Sequence, residues 1–184
     1  RGSSPDAALY WFARMIDGGC DPLYIARRAV RMASEDIGNA DPRALQIALN
    51  AWDVVKRLGS PEGELALAQS LVFMATAAKS NALYTAFSKA TDTVKQTPSF
   101  DVPLHIRNAS TTLMQEFGYG KEYQYAHDFD DAFVAGESYL PEALHDSEFY
   151  HPVSRGLEIR VAEKLDYLRK MNAESDFQRY KKDS

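Results

Sequence analysis

Four times in the first 61 residues a capping oxygen stands directly before a proline: Ser4-Pro5, Asp21-Pro22, Asp41-Pro42 and Ser60-Pro61. A serine or aspartate oxygen can accept the unpartnered N–H groups of a first helical turn, and proline fits that turn because its missing N–H would have no intrahelical partner there. Each pair therefore predicts a helix start. Between them lie Gly18-Gly19, Gly38-Asn39 and Leu58-Gly59, where glycine or asparagine can adopt the left-handed conformation that ends a helix. Starts and stops alternate about every twenty residues, so the joins are short, and short joins make neighbouring helices antiparallel.

Within these limits apolar residues recur at helical spacing: Leu9, Phe12 and Ile16; Ile25, Ala29, Met32 and Ala33; Leu45, Ala48, Leu49, Trp52 and Val55; Leu65, Ala68, Leu71, Val72 and Ala75. A fifth segment near Asn81 to Val94 carries Leu83, Phe87, Ala90 and Val94 before Pro98 interrupts it. The expected fold class is all-α, with an antiparallel helical bundle over residues 1–97. From 98 to 154 the periodicity lapses, apart from a short helical stretch around Thr111 to Phe117, and a long irregular wrap is expected. Residues 122–154 hold eight acids and no Lys or Arg. They also hold Tyr123, Tyr125, Phe129, Phe133, Tyr139, Phe149 and Tyr150, rings expected to pack onto the bundle because each removes a large apolar area from water. A final helix is expected from Arg155 to Met171 with Leu157, Val161, Leu165 and Leu168 inward, within a region 155–184 whose polar tail frays after Asn172.

At 184 residues, 45% hydrophobic and 26% charged, the chain can bury roughly 70% of its unfolded surface without disulfide or metal support. Cys20 is its one cysteine. No apolar run approaches the roughly 20 residues that cross a bilayer, so no membrane partner and a cytoplasmic location are expected. The formal charge of -5 is unlike a surface devoted wholly to a polyanion, but local basic faces exist. Arg27, Arg28 and Arg31 share a helix face at i, i+3 and i, i+4 spacing. They can contact DNA phosphates or pair with Glu35, Asp36 or acids of a neighbouring helix or subunit. Arg107 and Lys121 are weaker DNA-contact candidates. Gly118-Tyr119-Gly120-Lys121 lacks the spacing of a P-loop and has Glu122 where a hydroxyl would hold Mg²⁺. His127, Asp128, Asp130 and Asp131 read as a solvated acidic loop rather than a metal site. Cys20 has no neighbouring histidine to activate it. No catalytic, cofactor-binding or metal residue is assigned, and no enzyme activity is expected of this chain.

The run Asp6 to Met15, then Ile25-Ala26-Arg27-Arg28 and Ala33 to Pro42, resembles the C-terminal region of the replication-associated recombination protein A (RarA, also MgsA) family, whose eukaryotic relative is the Werner-helicase-interacting protein. The resemblance continues through Lys79-Ser80-Asn81, Val102 to Arg107, Gly118 to Lys121, Tyr125 to Asp128, Tyr139-Leu140-Pro141 and Arg155-Gly156-Leu157-Glu158. Ala78 stands where proline is common in the family, and the loop after His127 is unusually acidic. The resemblance implies a clamp-loader-related AAA+ ATPase acting on DNA at stalled or damaged replication forks. Its ATP and Mg²⁺ motifs would lie upstream of this chain, which begins at Arg1 and reads as a piece of a longer, nucleoid-associated protein. The piece present would be an all-helical region resembling the clamp-loader collar that joins subunits into a homotetramer. Forked DNA or DNA ends, and single-strand binding protein, would be partners of the full-length protein. A DNA- or protein-binding helical module is the alternative.

Overall fold

The computed structural model describes residues 1–180, and among them every regular element is helical. Two compact units are present: one formed by Arg1–Ala90 with Phe149–Ala162, the other by Thr91–Glu148 and the chain from Glu163 onward. Their limits differ from the boundaries expected at 97/98 and 154/155. Periodicity in the sequence marks where a helix breaks, whereas two of the three points where the units exchange, 90/91 and 162/163, fall inside helices.

In the first unit, α1 (Pro5–Asp17) is capped by the Ser4 hydroxyl, which accepts from Ala7 N, and α2 (Pro22–Met32) by Asp21, which accepts from Leu23 N at 2.8 Å. Both prolines occupy the first turn, as the sequence predicts. The chain then widens into a π-helical turn at Ala33–Ile37 and tightens into a 3-10 turn at Gly38–Ala40. α3 (Arg43–Leu58) begins just after Asp41-Pro42, and the Asp41 carboxylate accepts from Arg43 N at 3.2 Å. The fourth start signal is displaced. Ser60-Pro61 is a cis peptide inside a separate turn, and α4 (Glu64–Thr76) begins three residues after Pro61. Gly59 O accepts from Gly63 N at 2.7 Å there, so residues 60–63 satisfy their own turn before the helix starts. α5 (Ala82–Gln96) is capped by Ser80 Oγ, which accepts from Ala82 N at 3.1 Å.

Packing joins α1 to α4, α2 to α3 and α3 to α4. One core cluster holds Phe12, Ile25, Ala26, Ala51, Val55 and Leu67, and the other Ala29, Ala33, Ile37, Ala44, Ala48 and Met74. Alanine supplies half of these positions, so the helix backbones approach closely and fill space with main chain rather than long side chains. Several residues of the predicted stripes face outward instead. Leu65 is 76% exposed, and Leu45, Leu49 and Leu83 are also exposed. α4 is apolar on all sides, so periodicity could not fix its phase, and its buried positions are Leu67, Ser70, Met74 and Ala75.

The second unit has less regular structure: α6 (Thr112–Glu116), several 3-10 turns and most of the last helix, α7 (Glu158–Glu174). α7 starts later than expected, and its fully buried member in the first unit is Glu158, while Leu157 is exposed. The aromatic segment is not buried as expected: none of its seven rings is fully buried, and Tyr123, Tyr125, Phe129 and Tyr139 are exposed. The expectation of a frayed end after Asn172 is also corrected. Asn172 Oδ1 accepts from Gly136 N at 2.8 Å, Ser175 Oγ donates to Ala135 O at 3.0 Å and Tyr180 OH donates to Leu140 O at 3.1 Å. Polar composition there serves docking rather than solvation. Residues 181–184 of that tail lie outside the described residues.

Candidate functional site: a basic-rimmed apolar groove

Ridges formed by residues four apart on α1 explain the main surface feature of the first unit. Phe12 turns into the core, while Trp11 and Met15 form a second apolar ridge beside it. With Tyr24 of α2 and Met74 of α4 they line a groove of 380 Å³, within the range of about 300–1,000 Å³ typical of ligand-sized clefts. Trp11 is 64% exposed and Tyr24 47%. Arg1, Arg28 and Lys79 stand in the lining against one acid, Asp36. The floor is thus apolar and the rim cationic.

Arg1, Asp36 and Lys79 also line an adjoining cavity of 240 Å³, completed by Ser80, Asn81 and Arg155. The π-helical turn presents Glu35 and Asp36 to Arg1, at 3.1 and 2.7 Å. Lys79 Nζ donates to Ala77 O at 2.6 Å and Ala75 O at 3.1 Å, satisfying carbonyls at the end of α4. Burial lowers its pKa, and the negative charge of Asp36 partly opposes that shift. Arg155 Nε donates to Lys79 O at 2.7 Å.

Behind these cations sits a buried hub. The Glu158 carboxyl group accepts from Ser80 Oγ at 2.8 Å, Tyr150 OH at 2.9 Å and Val153 N at 2.8 Å. Leu157 N donates to Ala40 O at 2.8 Å and Ser80 N to Asp36 O at 2.9 Å. Gly156 has φ +56°, and a Cβ there would collide with the Ala40 carbonyl, so the approach requires glycine. Three stretches distant in sequence, 36–41, 79–82 and 150–158, are thereby tied together.

The second unit contains a separate polar clamp. Arg179 donates Nε to Glu137 Oε1 at 2.8 Å and Nη2 to Glu137 Oε2 at 2.7 Å, and also reaches the Glu122 carbonyl at 2.9 Å. His105 Nε2 lies 2.9 Å from Ser138 O and 3.5 Å from Glu137 Oε1. Burial of Glu137 opposes its ionisation, but the Arg179 guanidinium outweighs that and holds the carboxyl below its ordinary value of 4.5.

The five DNA-contact candidates have different surroundings. Arg27 and Arg28 are exposed on α2, with the Arg27 guanidinium 5.5 Å from the Tyr24 ring centre. Arg31 pairs with Glu35 at 2.8 Å, one of the acids weighed from sequence. Arg107 and Lys121 belong to the second unit. Arg107 is occupied by Val102 O, Tyr119 and Asp101, while Lys121 is exposed. In the Gly118–Lys121 turn, Gly120 N donates to Leu104 O at 2.8 Å and Lys121 N to Gly118 O at 3.2 Å. In the acidic loop Asp131 accepts from Tyr167 OH at 3.0 Å. Sequence reasoning assigned no role to Trp11, Met15, Lys79, Arg155, Glu158 or Arg179. For the first two a signal exists: residues 11 and 15 form an apolar pair outside the Leu9–Phe12–Ile16 stripe.

Residues 2–169 match the family described as MgsA AAA+ ATPase C terminal. The chain is 63% identical over 172 residues to replication-associated recombination protein A of Coxiella burnetii, covering 94% of this chain and 39% of that protein. It is 54% identical over 181 residues to the protein of that name in Escherichia coli K12, covering 98% and 40%. With the ATPase WRNIP1 of Dictyostelium discoideum it shares 45% identity over 150 residues, 82% of this chain and 17% of that protein. The chain therefore spans about two fifths of the length of the bacterial relatives. With a family match over residues 2–169 and 63% identity to a bacterial relative across 94% of its length, the chain belongs to the MgsA AAA+ ATPase C-terminal family.

Proposed function

We propose that this chain is the subunit-joining region of a DNA-dependent AAA+ ATPase, that it assembles as a homotetramer, and that the whole protein acts in recombination and repair at stalled replication forks. The observation that carries the self-association reading is an inversion of side-chain size across the first unit. Alanines fill its core while Tyr10, Trp11, Tyr24 and Leu65 lie in solvent, at 55%, 64%, 47% and 76% exposure. Large apolar side chains left exposed around a small-residue core, with Tyr10 against Trp11 and Trp11 and Tyr24 sharing one groove, favour burial against another chain. Joining subunits benefits a protein that handles DNA, because a second site then meets its target at high effective concentration. ATP and Mg²⁺ would act in the rest of the parent protein. The family likeness extends the proposal to single-strand binding protein as a partner and to association with the nucleoid. Light scattering of the purified chain at about 20–50 micromolar should give the mass of a tetramer, in the association range typical of specific interfaces. A monomer would overturn the reading.

A second reading has its own observation: Arg27 and Arg28 are adjacent and exposed on α2. DNA binding through them requires an affinity that falls steeply with salt, because phosphate contacts release counterions. Arg27→Ala/Arg28→Ala in the full-length protein should then weaken binding to forked DNA by about tenfold and flatten the salt slope by about two. Unchanged binding in a fluorescence titration would remove this reading.

A further inference from the structure

We infer that the basic-rimmed groove of one chain receives the acidic aromatic loop around Tyr125–Asp131 of a second copy. This inference rests on the self-association proposed above and assigns its two faces.

The groove offers an apolar floor of Trp11, Met15, Tyr24 and Met74 with Arg28 and Lys79 at its edge. Methionines adapt their shape to an incoming ring, and their sulfur makes favourable contacts with aromatic edges. The occupant that fits is an anionic segment carrying rings, and the chain contains one. From Tyr125 to Asp131 it reads Tyr-Ala-His-Asp-Phe-Asp-Asp. Tyr125 and Phe129 are 53% and 42% exposed, and Asp128 and Asp130 are exposed beside them. No Lys or Arg occurs from 122 to 154, so no cation within this stretch neutralises it. Its shape is set by two short 3-10 turns, by positive φ at Asp131 and Ala132, and by the bond from Tyr167 OH to Asp131. Little conformational entropy would be lost on docking a loop already held in this way.

Charge and surface character are complementary on both counts: cations meet aspartates at the rim, and exposed rings meet an apolar floor. The lining carries three cations against one acid, while the loop carries three acids. Because the two faces differ, the contact is head-to-tail. Such contacts propagate from copy to copy and close into a ring when the rotation between neighbours permits. The same pairing also fixes register, since two grooves or two loops would repel.

The test uses charge reversal on each face of the whole chain, with mass measured by analytical ultracentrifugation. Arg28→Glu reverses a charge in the groove lining and Arg27→Glu one at its border, where Arg27 lies 5.5 Å from the ring centre of the lining residue Tyr24, and Asp128→Lys/Asp130→Lys damages the loop. Each should weaken self-association about 100-fold, as like charges at a docked face do, with helix content unchanged. Mixing the two variants should restore an alternating oligomer of wild-type mass, because the native loop of one meets the native groove of the other and the reversed loop meets the reversed groove. A chain carrying all four reversals should regain the wild-type mass. Trp11→Ala, an uncharged change in the floor, should weaken assembly as well. If wild type is oligomeric and all these variants keep its mass, the faces lie elsewhere and this inference fails alone. If wild type is a monomer, the underlying self-association reading fails. A groove that instead takes a different acidic protein would show as wild-type mass in every variant together with loss of that protein from the groove variant only, which also overturns the inference.

Discussion

Replacing Glu158 by alanine is expected to lower the unfolding free energy of the first unit by about 4 kcal/mol, because three donors would be left without an acceptor and each costs about 1–3 kcal/mol, less than additively. Ser80 Oγ, Tyr150 OH and Val153 N all donate to this one side chain at 2.8–2.9 Å, and Glu158 is fully buried. Ser80 also caps α5 through Ala82 N, so the damage spreads to the start of that helix. Glu158→Gln should cost less, since its amide keeps one carbonyl acceptor of similar size. The urea midpoint of each variant measures the difference. A loss below about 1 kcal/mol for Glu158→Ala would mean that water or local shifts satisfy those donors and that the hub does not hold the three stretches together.

The second large effect belongs to the other unit. Arg179→Ala is expected to cost about 3–5 kcal/mol, the usual consequence of removing one partner of a buried ion pair and leaving the other charge uncompensated. The Glu137 side chain is 2% exposed and Arg179 10%, so solvent offers little compensation. The effect depends on pH in a defined direction. In the wild type the Glu137 carboxyl is held below 4.5, so its stabilising contribution is complete above that unfolded-state value and is lost as pH falls through the lower folded value. In the variant, burial, which favours the neutral acid, is opposed only by the Ser138 N–H that donates to Glu137 Oε1 at 2.9 Å and by the nearby His105, so the charged form loses most of its compensation. The stability gap between wild type and variant should therefore be wide at neutral pH and shrink below about pH 4.5. Urea titrations at several pH values, read through hydrogen exchange at the Gly136 and Glu137 amides, would show it. A gap independent of pH would assign the loss to packing of the Arg179 side chain instead.

Local chemistry was legible in the sequence where it acts within a few residues. The Ser4 and Asp21 caps do what their position before proline predicts. Ser60-Pro61 does not, because a turn of its own intervenes, and Asp41-Pro42 precedes its helix rather than opening it. Helical periodicity placed Phe12, Ile25, Ala29, Ala48 and Val55 correctly inside. It failed on α4, where apolar residues on every side leave the orientation to be chosen by the neighbours α1 and α3. Leu157 was expected inside, but Glu158 is buried, because its partner Ser80 lies 78 residues away and one helix cannot reveal it. Arg27, Arg28 and Arg31 were visible as a charge cluster, yet only the structure separates the paired Arg31 from its two exposed neighbours. The groove floor was hidden for the same reason as the hub: it needs three helices at once.

The alanine-lined core has a thermal consequence. Heat-capacity change on unfolding follows newly wetted hydrocarbon, about 0.45 cal/K/mol for each Å², and a methyl side chain contributes little of it. Ala26, Ala29, Ala44 and Ala48 are completely buried, yet together they shield less hydrocarbon than the same number of leucines would. The isolated first unit should therefore have a shallow, broad stability curve, with cold and heat weakening it gradually. Much of the hydrocarbon that would sharpen that curve belongs to the outward-facing tyrosines, tryptophan and leucines, which are already wetted in the single chain and would steepen the response only where the proposed second copy covers them.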